Sequence, residues 1–410
     1  MTQEGKYQRP RLSDEEQRER TRTQIEIIQE ALGRDQVGVA MGDGDDPADF
    51  LYLYRRQHIL VRDADVGRVR EALDGRVSVS RGLVNGLTRL AVDANIPDVL
   101  DRLDEAVGVG VAMPDHVLYV TPTGGTCCPA TEPEEPGVGE PLPPLNTEGD
   151  DGRGVFVSVV DTGWHPPAAD DEATRDWLNG VTGDPETIDL KNIHPYAGHG
   201  TFIAGVVRCL APKADVRVEG FLPLGGAAFE SDMVVQLVEA LALGPDVISL
   251  SAGTKTRADR PTLSFEVFWE NFLSQVKGTV LVAAAGNDAT RAPFWPAAFP
   301  WTISVGALDA DGRRTDFSNF GSWVDVYALG EGLVNGYPRG TYVCHEPPNV
   351  GDARSFEGLA RWSGTSFSTP IVAGKIAARM SATGLTARHA ADQLLAEARA
   401  QATPGVGPWL

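Results

Sequence analysis

Three side chains that could together make a serine nucleophilic lie in the second half of this sequence. Asp161 follows the apolar run "VFVSVV", His199 lies between two glycines in "GHGTFIAGVV", and Ser366 lies in "RWSGTSFSTPIVAG". Serine is a weak nucleophile at neutral pH and needs a base within about 2.6–3.2 Å to accept its proton. A histidine can be that base, and a buried carboxylate can hold its ring in the required tautomer. We therefore predict that Asp161 orients His199, which activates Ser366.

Each of these residues has a plainer interpretation when it is taken alone. An aspartate after a strand often only forms a turn. A histidine in the first turn of an apolar helix often packs or caps, and a serine is a common N-cap. Their occurrence together, in the order Asp, His, Ser and each at the end of an element, favours catalysis over three separate structural roles.

Two more segments could complete such a site. Asn287 follows a strand and a glycine in "LVAAAGND", which predicts that its amide N–H and the backbone N–H of Ser366 stabilise an oxyanion. A substrate backbone could add as a strand beside "SLSAGT". The small residues before Asn287 could form a pocket wall, with close strand–helix packing as the alternative. The predicted substrate-contacting residues are Ser251, Ala252, Gly253, Ala284, Ala285 and Gly286.

The elements that would position these residues alternate between apolar strands and amphipathic helices. The strand-like runs are "GVFVSVVD", "ADVRVEGF", "PDVISLS", "GTVLVAAAG" and "WTISVGAL". Helical patterns lie between them in "GTFIAGVVRCL", "SDMVVQLVEALALG" and "SFEVFWENFLSQVKG". This alternation predicts an α/β fold in which a parallel sheet carries helices on both faces. Active sites of such sheets lie at the carboxyl ends of the strands, which is where Asp161 and Asn287 fall.

A stretch rich in proline and glycine divides the chain. Residues 121–150 are therefore predicted to be a linker, and residues 151–410 the catalytic domain. Residues 1–49 are predicted to be a helical extension, in which Ser13 and Glu16 can form a capping box.

Residues 50–120 show two helical patterns among strand-like runs. This predicts a smaller α+β domain with a ferredoxin-like arrangement of two helices on an antiparallel sheet. No cluster of chemically useful residues stands out there, and we interpret His58 and His116 as packing or surface residues.

Charge and composition exclude several classes of partner. The formal net charge of -21 argues against nucleic acid and anionic membrane surfaces. No apolar run approaches the ~20 residues of a membrane span, and the first thirty residues lack the apolar core of a signal peptide. We interpret the protein as cytoplasmic. Export by a route that needs no signal peptide is the alternative. The four cysteines, Cys127, Cys128, Cys209 and Cys344, are too few for a disulfide framework, and we expect free thiols.

Four segments resemble the signature blocks of the subtilisin-like serine peptidases, or subtilases. They are "VVDTGW", "GHGTFIAGVV", "AAAGN" and "GTSFSTPIVAG", in the order that this family has them. The resemblance implies a subtilisin-like serine endopeptidase that acts on protein or peptide substrates through an acyl-enzyme and requires no cofactor. It assigns the orienting acid to Asp161, the general base to His199, the nucleophile to Ser366 and the oxyanion donor to Asn287. It also implies that residues 251–253 form the substrate strand and residues 284–286 the floor of the specificity pocket.

The sequence departs from the family pattern at several positions. Ala252 and Thr254 replace the usual Leu and Gly of the substrate strand. The resemblance therefore does not imply which substrate side chain the pocket prefers. Phe202 stands where relatives often have His. Many relatives hold structural calcium, but no clear oxygen-ligand loop is present here. An acidic loop carries His165, His194, Asp170 and Asp171 without a defined ligand spacing, and we predict no metal site.

The resemblance also bears on the N-terminal unit. Subtilases often carry a small ferredoxin-like prodomain that assists folding and blocks the cleft until it is cut away. Residues 50–120 would then be an intramolecular inhibitor or chaperone, with self-processing in the linker 121–150. A permanently attached regulatory or docking module is the alternative.

Two other outcomes stay open at this level. One is a catalytically silent peptide-binding protein whose N-terminal unit is the interaction surface. The other keeps the acyl-enzyme but passes it to an amine instead of water.

Overall fold

The protein is described by a computed structural model that covers residues 12–42, 44–75, 77–120, 131–137, 151–222 and 225–410. The helices are α1 (Asp14–Leu32), α2 (Val66–Ala72), α3 (Ile96–Val107), α4 (Arg175–Leu178), α5 (His199–Leu210), α6 (Glu230–Ala242), α7 (Leu263–Asn271), α8 (Thr365–Thr383) and α9 (Ala387–Ala400). The strands of the N-terminal unit are β1 (Val37–Met41), β2 (Phe50–Arg62), β3 (Val77–Val84), β4 (Leu87–Val92) and β5 (Ala112–Tyr119). Those that follow are β6 (Phe156–Asp161), β7 (Thr182–Gly183), β8 (Asp215–Gly220), β9 (Ala227–Phe229), β10 (Val247–Leu250), β11 (Val280–Ala284), β12 (Thr302–Leu308), β13 (Val326–Leu329), β14 (Leu333–Gly336), β15 (Gly340–Val343), β16 (Ala353–Phe356) and β17 (Leu359–Trp362).

A parallel seven-stranded sheet forms the centre of the C-terminal unit. Its strand order is β13-β12-β11-β10-β6-β8-β7. Successive residues of one strand enter different apolar cores, because successive side chains of a strand point to opposite faces. Val247 of β10 belongs to the core with α5 and α8, whereas Ile248 belongs to the core with α6 and α7. The predicted α/β fold with helices on both faces of a parallel sheet is confirmed.

The N-terminal unit follows the order β2-α2-β3-β4-α3-β5, which is the βαββαβ order of a ferredoxin-like unit. The strands β3, β4, β2 and β5 pair antiparallel in that spatial order. The sequence patterns did not indicate β1 or β3, since glycine interrupts both short runs. The predicted capping box is present at α1, where Ser13 and Glu16 bond each other's backbone.

The two units share a sheet as well as side-chain contacts. Strand β5 pairs antiparallel with the short strand β9 of the C-terminal unit. Next to this pairing, His116 is fully buried and its Nδ1 lies 2.8 Å from Oε1 of Glu230. Asp115 accepts hydrogen bonds from the backbone and hydroxyl of Ser231 at the start of α6. His116 is therefore part of the contact between the units.

The linker and the cysteines are described only in part. Residues 131–137 lie along the C-terminal unit, and Cys127 and Cys128 lie outside the described residues. Cys209 and Cys344 are free, buried thiols, and burial raises the pKa of each to about 12. In the part of the chain that the structure covers, no helix is both long and apolar enough to cross a lipid bilayer.

Candidate active site

Asp161 and His199 meet at the carboxyl edge of the parallel sheet. Asp161 is the last residue of β6, and His199 is the first residue of α5. Nδ1 of His199 lies 2.7 Å from Oδ1 of Asp161, and both side chains are fully buried. A Cβ at Gly200 would overlap the carbonyl oxygen of Gly163, so only glycine lets α5 approach the loop after β6 this closely. The contact assigns the Nδ1 proton to the bond with Asp161 and leaves Nε2 to accept a proton.

Two aromatic rings contact the imidazole, and a third ring packs against both of them. The ring of His199 lies 5.4 Å from that of Trp362 and 5.2 Å from that of Phe367. Phe202 is fully buried and packs against Phe367 at 4.7 Å. The departure from the family at Phe202 therefore adds a buried ring that packs against Phe367 and Trp362, the two aromatic residues beside His199.

Ser366 is the second residue of α8, and its carbonyl has an unusual partner. Pro370 lies in the second turn of α8, where its missing N–H leaves the carbonyl of Ser366 without the usual helical bond. The hydroxyl of Ser251 donates to that carbonyl oxygen instead, at 2.9 Å. Ser251 thus has a side-chain contact that its predicted place in the substrate strand did not indicate.

The hydroxyl of Ser366 is turned towards the end of the N-terminal unit. Its Oγ lies 3.4 Å from the carbonyl oxygen of Val120 and 3.5 Å from that of Ser251. Among the described residues, Nε2 of His199 has no hydrogen-bond partner. The structure therefore brings Asp161 and His199 into contact and shows no hydrogen bond from His199 to Ser366 among those residues.

Asn287 is held by its side-chain oxygen. Its Oδ1 accepts a hydrogen bond of 2.8 Å from the backbone N–H of Thr365, the residue before Ser366. The hydroxyl of Thr365 in turn accepts from the backbone N–H of Gly286 at 3.1 Å. These two bonds join the loop after β11 to the start of α8. They direct the amide nitrogen of Asn287 away from Thr365, as an oxyanion donor requires.

The predicted substrate strand is paired with the chain itself. Tyr119 and Gly253 exchange backbone hydrogen bonds of 3.0 and 3.1 Å, and the N–H of Val120 donates to the carbonyl of Gly226 at 2.7 Å. Residues 119–120 therefore lie between two segments of the C-terminal unit. Ala252 is buried in this ladder. Val120, the last residue before the predicted linker, lies beside Ser366.

The predicted pocket residues 284–286 are buried behind this ladder. Ala284 ends β11, and the backbone of Ala285 donates to the carbonyl of Val305 at 2.9 Å. The side chain of Asn319 donates to the carbonyl of Ala285 at 2.8 Å. Main-chain pairing therefore holds this segment in place.

A second segment of the chain, residues 131–134, lies along the strand that precedes the nucleophile. The indole N–H of Trp362 donates to the carbonyl of Thr131 at 2.6 Å, and the backbones of Glu134 and Arg361 exchange bonds of 2.9 and 2.8 Å. Residues 131–134 therefore pair along β17, which leads into the Ser366 segment.

Helix α1 packs next to residues 131–134. Arg20 and Gln24 both donate to the buried carboxylate of Glu346, and the hydroxyl of Tyr196 donates to Gln24. Burial raises the pKa of Glu346 to about 7, against the opposing effect of Arg20. The helical extension is therefore docked through a buried polar cluster.

Glu186 is a residue of the site that the sequence did not reveal. Its Oε2 accepts a hydrogen bond of 2.8 Å from the backbone N–H of Gly198, directly before His199. Burial raises the pKa of Glu186 well above its usual range, and the negative charge of Asp161 raises it further. A glutamate in an acidic loop carries no pattern that separates it from its neighbours.

The loop residues that we considered for a metal do not converge. His194 bonds backbone carbonyls, and Asp171 pairs with Arg339. Within the described ranges, no group of three His, Cys, Asp or Glu side chains is placed to hold a metal ion.

Known proteins share the fold of this chain. Solved structures include a fold neighbour, fervidolysin from Fervidobacterium pennivorans, a keratinolytic enzyme related to subtilisin. It covers 92% of this chain and 62% of its own, with a TM-score of 0.58 and 17% identity, and shows the fold alone.

Curated relatives are more similar in sequence. The thermophilic serine proteinase of Bacillus sp. (strain AK1) is 30% identical over 243 residues, which are 56% of this chain and 53% of that protein. Subtilisin Savinase of Lederbergia lenta is 30% identical over 246 residues, which are 57% of this chain and 79% of that protein. The match thus spans about half the length of the first relative and most of the second. The model of the subtilase family matches residues 152–406, more than half of the chain. The chain belongs to the subtilase family.

Proposed function

We propose that this protein is a serine endopeptidase that cleaves peptide bonds through an acyl-enzyme on Ser366. The observation that carries the proposal is the buried contact of 2.7 Å between His199 and Asp161, together with a peptide segment whose carbonyl oxygen at Val120 lies 3.4 Å from Ser366 Oγ. A protein of this family with these residues beside the carboxyl edge of its parallel sheet has the groups that acyl transfer needs.

The steps follow from the placement of each group. When the cleft holds a substrate, the hydroxyl of Ser366 turns to Nε2 of His199 and attacks the scissile carbonyl carbon as its proton passes to Nε2. The oxyanion forms between the amide of Asn287 and the backbone N–H of Ser366. Collapse of the adduct breaks the C–N bond, and the leaving amine takes the proton from Nε2. Water then attacks the acyl-enzyme with His199 again as base, and the acid product leaves. None of these steps needs a cofactor.

The experiment is covalent labelling of the purified chain with a fluorophosphonate. We expect the label on Ser366 in the wild type and no label in Ser366→Ala. Ser368→Ala is the matched control, because Ser368 lies on the same helix but bonds the carbonyl of Ala328, and it should be labelled normally. An unlabelled, folded wild type would count against the proposal and in favour of a silent peptide-binding protein.

We assign the N-terminal unit the role of an intramolecular inhibitor that is cut from the enzyme in the linker 121–150. Residues 119–120 lie beside residues 251–253, in the place where a substrate would pair. The carbonyl oxygen of Val120 lies 3.4 Å from Ser366 Oγ. A substrate cannot pair with Gly253 while Tyr119 does. The peptide bonds that follow Val120 in the sequence belong to the linker. We therefore propose the linker as the first substrate of the enzyme.

Mass spectrometry of the wild type beside Ser366→Ala tests this role. We expect a wild-type chain cut within residues 121–150 and an intact mutant. If both stay full length while the wild type is labelled by the fluorophosphonate, the N-terminal unit is a lasting module.

A further inference from the structure

An aromatic ring lies between the two segments that line the predicted specificity pocket. Residues 251–253 follow β10, and residues 284–286 begin at the last residue of the neighbouring parallel strand β11. A Cβ at Gly253 would overlap the ring of Phe294, and a Cβ at Gly286 would lie 3.0 Å from its Cδ1. The ring therefore contacts both segments, and Phe294 is only 2% exposed.

The main chain fixes this ring beside the substrate strand. Trp295, the residue after Phe294, exchanges both backbone hydrogen bonds with Thr254, the residue after Gly253, at 2.8 and 3.0 Å. Movement of the main chain at Phe294 away from Gly253 would break this pair. The ring is thus part of the pocket wall and does not behave as a side chain on a free loop.

The strand register shows which substrate side chain would meet the ring. A substrate bound in place of Tyr119 has one residue opposite Gly253, and the residue two places further on lies opposite Ser251, beside Ser366. Side chains two residues apart leave a strand on the same face. On that face the ring of Tyr119 lies 6.3 Å from the ring of Phe294. The residue that supplies the scissile carbonyl therefore directs its side chain towards the space that Phe294 fills.

We infer that Phe294 closes the specificity pocket and restricts cleavage to peptides with a small side chain, Gly, Ala or Ser, at the residue that supplies the scissile carbonyl. The inference rests on the proposed peptidase function. A large side chain would have to enter volume that a buried ring already occupies, and overfilling a packed site forces strain. A single methylene in a pocket changes specificity by roughly 10–200-fold, so the several extra atoms of a Phe side chain should cost more than about 100-fold.

The test compares two peptidyl phosphonates that differ only in Ala or Phe at that residue. The rate of labelling is measured for the wild-type chain, for Phe294→Ala, and for the control Phe299→Leu. Phe299 is a nearby buried aromatic that packs against Trp295 at 4.5 Å, and its atoms are not among the three nearest to a Cβ at either glycine. A generic fluorophosphonate is used in parallel, because it reports activity without regard to the pocket.

We expect the wild type and the control to react at least ~100-fold faster with the Ala probe than with the Phe probe. In Phe294→Ala this ratio should fall by at least ~10-fold, through faster reaction with the Phe probe. Equal rates in the wild type, or an unchanged ratio in a folded Phe294→Ala, would overturn the inference. If the variant does not fold, the wild-type ratio decides alone. A wild type that the generic probe does not label would overturn the proposed function itself and this inference with it.

Discussion

Replacement of Asn287 by Ala removes two interactions that the structure separates. One is the hydrogen bond of 2.8 Å that its Oδ1 accepts from the backbone N–H of Thr365. The other is the amide N–H that we propose donates to the oxyanion. Loss of the first leaves a buried N–H without its acceptor, which should lower the free energy of unfolding by about 1–3 kcal/mol.

Loss of the second interaction affects only the reaction. Removal of one oxyanion donor lowers kcat by about 10²–10³, a figure measured in a subtilisin and equal to about 2.7–4 kcal/mol of transition-state stabilisation. We expect a loss of that size in Asn287→Ala with little change in KM, because the donor acts on charge that develops after the substrate has bound.

A second variant keeps the two effects apart. Asn287→Asp retains an oxygen that can accept from Thr365, yet it has no amide donor. We expect kcat to fall at least as far as in Asn287→Ala. The assay is steady-state hydrolysis of a peptide substrate, corrected for the folded fraction from thermal unfolding. A kcat within about 10-fold of the wild type in either folded variant would refute the assignment of Asn287 as the donor.

Three further predictions follow from the same site. Ser251→Ala should lower the free energy of unfolding by about 1–3 kcal/mol, measured by denaturant titration, because Pro370 cannot bond the carbonyl of Ser366 in its place; Ser251→Thr should recover most of that loss. Glu186→Gln should make thermal stability less dependent on pH. The raised pKa of Glu186 means that the folded state binds this proton more tightly than the unfolded state does. The contribution of Glu186 to folding stability is therefore complete below the ordinary pKa of 4.5 and is lost as pH rises. A wild-type melting temperature that does not fall towards pH 8 relative to the variant would contradict this. His199→Ala should lower peptidase activity strongly, since the imidazole must accept the serine proton, and an unchanged kcat/KM in the folded variant would exclude His199 as the base.

The elements of the C-terminal unit could be anticipated from residue patterns. Apolar strands alternating with amphipathic helices predict a parallel sheet covered on both faces, and β10 shows it, with Val247 and Ile248 in different cores. Residues at the ends of such strands must share one edge of the sheet. For this reason Asp161 and Asn287 could be placed near the candidate site without any knowledge of distances.

Contacts between distant parts of the chain could not be anticipated in this way. The pairing of Tyr119 with Gly253, the bond from Ser251 to the carbonyl of Ser366, and the ring of Phe294 against Gly286 each join separate elements. No periodicity marks such pairs, because each depends on how complete elements pack against one another.

The sequence by itself determined the kind of sheet, the edge at which its polar residues collect, and the residue types that could serve as nucleophile, base and acid. Only the tertiary structure decided that Val120 lies against Ser366 and that Phe294 fills the space between the two pocket segments. The physical reason is one of range. Local patterns reflect hydrogen bonding and burial within an element, whereas the occupancy of a cleft is settled by the packing of residues as far apart as 246 positions.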